Sequence, residues 1–165
     1  MTDSDSAIDH ANQRVFLVVV DRTEEWRMAL RFACRRAEHT GGRVALLHVI
    51  EPIDPQDWMA VEEVMREEMR HEAEQLLQRV AKEVNELTGT MPELHVREGQ
   101  RREELLKLIE EEPQISILVL GASATGETPG PLIQYLTAGK GAARIKIPIT
   151  IVPGGLSIDQ IDDLA

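Results

Sequence analysis

The apolar positions of this chain gather into five short runs, separated by stretches with helical spacing. Val15-Phe16-Leu17-Val18-Val19-Val20 is the first run and ends at Asp21. Val44 to Ile50 is the second, Leu94-His95-Val96 a shorter third, Ile115 to Leu120 the fourth and Ile147 to Val152 the fifth. Short apolar runs without regular polar alternation suit strands covered on both faces, as in parallel sheets. After the first run, Thr23-Glu24-Glu25 puts acids in the opening turn of a helix that reaches about Thr40 and stops at Gly41-Gly42. Pro52 and Pro55 break the chain after the second run, and a long helix is predicted from Gln56 to Leu87. Its apolar positions, Trp58, Val61, Met65, Met69, Ala73, Leu76, Val80, Val84 and Leu87, are mostly three or four apart and form one stripe. That stripe also has the spacing of a coiled coil, but the sheet-facing side of a crossover helix is the simpler reading. Gly99 turns the chain into a helix over Arg102 to Glu111, ended near Pro113. Pro131 opens the last predicted helix, which runs to Ile145.

Five strands therefore alternate with four helices, which predicts an α/β fold. With right-handed crossovers it is a doubly wound, five-stranded parallel sheet with helices on both faces. Ligands in such sheets sit beyond the carboxyl ends of the strands, where the winding reverses. The positions to watch are Asp21, Val49, Gly121 and the loop that follows to Pro131. Residues 14–153 read as one domain, 1–13 as a flexible acidic tail and 154–165 as an acidic C-terminal tail, loose or in a single turn.

Composition narrows the function. The 165 residues are 42% apolar, enough for one core, and carry a net charge of −11. Nucleic acids and anionic membranes are bound through Lys and Arg, so neither is an expected partner. Cys34 is the one cysteine. It can form no intrachain disulfide or multi-cysteine metal site, and a reducing compartment suits it. No apolar run reaches the ~20 residues of a membrane span. Met1 to Asn12 are polar and acidic, unlike a secretory signal, so the expected location is the cytoplasm.

No catalytic constellation stands out. His10, His39, His48, His71 and His95 are scattered, with no cluster of metal ligands. His48, inside a strand, reads as a half-buried, hydrogen-bonded histidine. Cys34, beside Phe32 and Ala33, reads as packing. Gly139-Lys140-Gly141 lacks the upstream glycine of a phosphate-binding Walker loop and follows no strand. The acids from Glu62 to Glu68 read as a solvated helix face.

Taken in order, Val-Val-Asp at the end of strand one, Leu-Leu-His-Val-Ile-Glu-Pro closing strand two, Gly99, Ile-Leu-Val-Leu-Gly closing strand four and Ile-Pro-Ile-Thr-Ile-Val in strand five resemble the universal stress protein family. The resemblance covers Arg14 to Pro153. It implies an adenine nucleotide alpha hydrolase-like fold with strand order 3-2-1-4-5, and a homodimer through the last strand, 147–152. The uncharged run Ile147 to Val152 suits a covered edge, with a second copy or the C-terminal tail as its cover.

The family's ATP-binding branch cradles phosphates with Gly-x-x-Gly after strand four and a Gly-Ser/Thr pair at the next helix. Glycines there let backbone N–H groups approach the phosphate. Gly121 matches the first glycine, but Ala124 stands at the second and Gly126 is displaced by two. The loop continues Glu127-Thr128-Pro129-Gly130-Pro131, adding a repelling carboxylate and two prolines without N–H groups. The Gly-Ser/Thr pair falls on Tyr135-Leu136, or with a one-residue slip on Leu136-Thr137. On the adenine side, the resemblance makes Asp21 a base contact and Val49 a contact to base and ribose. Asp21 also suits a turn at the start of a helix, and Val49 suits core packing. The expected nucleotide-binding residues are thus Asp21, Val49, Gly121, Gly126 and Thr137, with no catalytic or metal residue.

The leading functional expectation is a non-catalytic, dimeric stress-response or signalling protein with weak or lost ATP binding. The alternative is an adenine-nucleotide-binding module with an altered phosphate loop. A slow ATP hydrolase comes third, because it needs a metal for which the sequence offers no ligand set.

Overall fold

The computed structural model describes residues 13–51 and 63–165. Strand β1 (Val15–Val19) lies at the centre of a five-stranded parallel sheet. Around it lie β2 (Arg43–Ile50), β3 (Glu93–Glu98), β4 (Ile115–Gly121) and β5 (Ile149–Val152), in the order β3-β2-β1-β4-β5. Every pairing is parallel, with Leu17 opposite Ala45 on one side and Leu118 on the other. This is the doubly wound sheet and strand order expected from the sequence.

The period of two along β1 divides the core. Phe16, Val18 and Val20 face one way, onto Ala29, Leu30, Ala33 and Cys34 of α1 (Glu25–Thr40) and Leu77, Val80 and Val84 of α2 (Glu63–Thr88). Val15, Leu17 and Val19 face the other way, onto Leu105, Leu106, Leu108 and Ile109 of α3 (Arg101–Glu111) and Ile133 and Leu136 of α4 (Pro131–Thr137). Both faces of β1 are covered, which accounts for its unbroken apolar run.

Local signals set the element ends. Gly41 takes the left-handed conformation (φ 69°) and its N–H closes α1 on the Ala37 carbonyl. In α2 the predicted stripe packs through Ala73, Val80 and Val84, joined by Leu77 and Ala81, while Met65 is exposed. The start predicted at Gln56, with Trp58 and Val61, lies outside the described residues. Burial pushes the Cys34 thiol up to about 12, so it is an inert packing group at neutral pH.

Two stretches differ from expectation. The helix predicted over Pro131 to Ile145 ends at Thr137, and a short 3-10 turn over Lys140–Ala143 follows. The Gln134 carbonyl accepts from both Ala138 N–H (2.9 Å) and Gly139 N–H (3.0 Å), which winds up the helix end. The last strand correspondingly starts at Ile149, two residues after its predicted start.

The C-terminal residues form a helix, α5 (Ile158–Leu164), where a loose tail or single turn is expected. Ser157 and Gln160 make a reciprocal capping box at its start. Ile161 is fully buried in the core that contains α1. Asp162 accepts from Arg31 Nε and Nη2 on its two oxygens (2.8 Å each) and from Arg35 Nε (3.1 Å). The Arg31 hydrogen bond, then that of Arg35, holds the Asp162 carboxyl far below its ordinary value of 3.8. A depressed folded-state pKa stabilises the fold above the unfolded value, and that contribution is lost as pH falls below it. Asp162→Asn should therefore lower the thermal midpoint at neutral pH. The gap to the parent protein should close progressively below pH 3.8, as followed by thermal melts across an acid series.

Candidate functional site

The strand order reverses its winding between β1 and β4, and the carboxyl ends of these strands border a cleft. The end of β1 is held from β2. Val20 N–H donates to the Leu47 carbonyl (2.8 Å), and His48 Nδ1 lies 2.7 Å from the Val20 carbonyl. A carbonyl can only accept, so Nδ1 carries the proton there. His48 is the hydrogen-bonded strand residue that its sequence position suggests.

Asp21 follows directly. Its Oδ1 accepts from Thr23 N–H (2.7 Å) and Thr23 Oγ1 (2.5 Å), an Asx turn leading into α1. The Thr23 side chain also holds the Glu25 carboxyl below its ordinary value. Asp21 Oδ2 faces Arg101 Nη1 at 3.8 Å. The turn thus occupies one oxygen of Asp21 and leaves the other directed at a cation.

Gly121 closes the opposite wall. A Cβ there would lie 2.1 Å from the Glu25 carbonyl oxygen and 2.7 Å from its carbon. The end of β4 runs against the first turn of α1 backbone to backbone, and no side chain fits between them. The loop beyond then closes on itself. Ser123 N–H donates to the Pro129 carbonyl (3.1 Å) and Gly126 N–H to Ser123 Oγ (3.2 Å). Two donors of the kind a phosphate cradle uses are thereby already engaged.

The cleft holds about 150 Å³, below the ~300–1,000 Å³ usual for small-molecule sites. Of the residues expected from the sequence, Asp21 and Gly121 line it. Val49 is 4% exposed and packed in the core beneath α3. Gly126 is in the exposed part of the loop. Thr137 lies in the last turn of α4, where its hydroxyl donates to the Ile133 carbonyl (2.7 Å). These three do not line the cleft.

Arg101, which the sequence reading does not single out, also lines the cleft. Gly99 N–H donates to the Ile50 carbonyl (3.0 Å), fixing the end of β3 beside the end of β2. The first residue of α3 then points back across the sheet. Arg101 Nη2 reaches Glu51 Oε1 at 3.3 Å, while Nη1 faces Asp21. A second groove of about 320 Å³ shares Arg101, Pro131 and Leu132 with the cleft and adds Glu51, Arg102 and Tyr135. A strand that closes before Gly99 delivers the next residues to the same rim of the sheet as Asp21, and the pairing of β2 with β3 decides which of them meets it.

The model of the Universal stress protein family matches residues 13–153, and the chain belongs to that family. A comparison with curated protein sequences finds no match. Among solved structures, universal stress protein UspA from Lactobacillus plantarum superposes with a TM-score of 0.65 at 14% identity, covering 84% of this chain and 97% of that one. A universal stress protein family protein from Arabidopsis thaliana, with AMP bound, gives 0.59 at 16% identity, covering 85% and 91%. A universal stress protein in complex with cAMP gives 0.58 at 16% identity, covering 87% and 98%. Identities this low speak for the fold alone. No described helix is long and apolar enough to cross a membrane.

Proposed function

We propose that this chain is a non-catalytic, dimeric member of the family, acting in the cytoplasm in stress response or signalling, in which ATP binding is weak or lost. The observation that carries the reading is the loop from Gly121 to Pro131, folded on its own hydrogen bonds between Ser123, Gly126 and Pro129. Lining the cleft, Asp21 and Glu25 set two carboxylates against the one guanidinium of Arg101. A triphosphate placed there would meet net repulsion. Nucleotide released from the denatured, freshly purified protein and separated by chromatography tests the reading. No stoichiometric ATP is expected, and ATP at one equivalent would overturn it.

A second reading keeps adenine recognition with fewer phosphates. The retained Asp21 favours it, as do the AMP and cAMP complexes of the structural neighbours.

The dimer is assigned to β5, an edge strand on which Ile151 is 41% exposed. A charge on an edge strand blocks pairing with another strand. Ile151→Lys should convert the dimer to a monomer in sedimentation velocity. A dimer unchanged by this substitution would move the interface elsewhere.

A further inference from the structure

We infer that the groove at the start of α3 is an anion site, shaped to hold the phosphate group of a compact phosphate monoester on Arg101 and Arg102. The inference rests on the reading above, that the loop after β4 no longer holds phosphate, and it places the anion elsewhere on the same rim. The groove is lined by two arginines and one carboxylate, Glu51, which is already engaged by Arg101. In a chain of net charge −11 that balance is local and specific. Among the described residues no ion pair engages Arg102. Its guanidinium lies over the Tyr135 ring, 4.9 Å from the centroid, which fixes it at the groove wall. Tyr135 is itself held, since its hydroxyl reaches Glu103 (3.4 Å) and Glu103 accepts from Arg144 (2.7 Å). The cation is thus supported on an aromatic face, and among the described residues no carboxylate is paired with it.

Guanidinium groups bind phosphate oxygens through paired N–H donors. The Arg101–Glu51 pair is exposed to solvent, so an incoming phosphate can share Arg101. Through Arg101 the groove adjoins the smaller cleft, where Asp21 Oδ2 can accept from a donor on the organic part of the ester. Two arginines suit one phosphate group. A triphosphate would extend further toward Glu25 and the closed loop.

The test is calorimetric titration of the full chain with AMP, inorganic phosphate and adenosine. AMP should bind at least tenfold more tightly than adenosine, and inorganic phosphate should compete with it. Arg102→Ala, at an exposed position, should keep the parent's thermal midpoint yet weaken AMP and phosphate at least tenfold, leaving adenosine unchanged. Arg102→Lys should recover part of the loss. Adenosine binding as tightly as AMP, AMP affinity unaltered in Arg102→Ala, or no binding of either anion would each overturn the inference. A parallel ATP titration separates it from the reading it rests on. Absence of all binding removes the anion site and leaves the loop reading standing. Micromolar ATP binding indifferent to Arg102→Ala removes both.

Discussion

Gly121→Ala is expected to destabilise the protein by about 3 kcal/mol, the upper part of the range for forcing extra volume into a packed site. The added methyl would meet the Glu25 carbonyl at 2.1 Å, and backbone cannot swing aside as a flexible side chain can. Either β4 or the first turn of α1 must move, and both are fixed by the core on either side of the sheet. A domain of this size loses roughly 2–4 °C in thermal midpoint per kcal/mol, so a fall of about 6–12 °C should be seen. Gly126→Ala is the control. There the nearest atoms to a Cβ are Thr128 O at 3.2 Å and Ser123 Oγ at 3.3 Å, in an exposed loop. Its cost should stay below about 1 kcal/mol. The pair distinguishes a glycine needed for packing from one needed to cradle phosphate. If Gly121→Ala melted like the parent, the close approach of β4 and α1 would not be the reason for a glycine at this position.

Ile161→Ala should cost about 2–5 kcal/mol, as for other fully buried aliphatic side chains cut back to a methyl group. Ile161 lies beyond residues 13–153, the part that matches the family, yet it shares a core with Trp26, Leu30 and Val152. The account therefore expects the folded unit to include α5. Leu164→Ala, in the same helix but 68% exposed, should change the melting temperature little. Equal, small effects from both substitutions would mean that α5 contributes no core. Thermal unfolding followed by circular dichroism measures all four variants in one experiment.

The elements that could be read from sequence share a cause. β1, β2 and β4 are covered on both faces, so burial writes itself into the chain as unbroken apolar runs. Strand order followed from the resemblance. The misread parts depend on local hydrogen bonding that periodicity does not report. The helix after Pro131 ends where the Gln134 carbonyl takes two donors, although Gly139 and Gly141 were in plain view as a stop. The capping box Ser157-x-x-Gln160, with Ile158 and Ile161 three apart, was the available sign of α5.

The site was legible only in part. Asp21 and Gly121 follow from the rule that ligands sit at strand carboxyl ends, and both line the cleft. Gly126 and Thr137 follow from spacing along the chain, which does not reveal that one N–H and one hydroxyl are engaged within their own turn and helix. Arg101 needed the third dimension. It is far in sequence from both Asp21 and Glu51, and only the pairing of β2 with β3 brings it to them.

Calorimetric titration of the protein with ATP, with and without magnesium, tests most directly whether the loop from Gly121 to Pro131 takes phosphate. The account predicts no saturable heat up to millimolar ATP, corresponding to a binding free energy weaker than about −4 kcal/mol. Saturable binding at micromolar ATP would show that the loop from Gly121 to Pro131 opens and cradles phosphate, and would contradict the account.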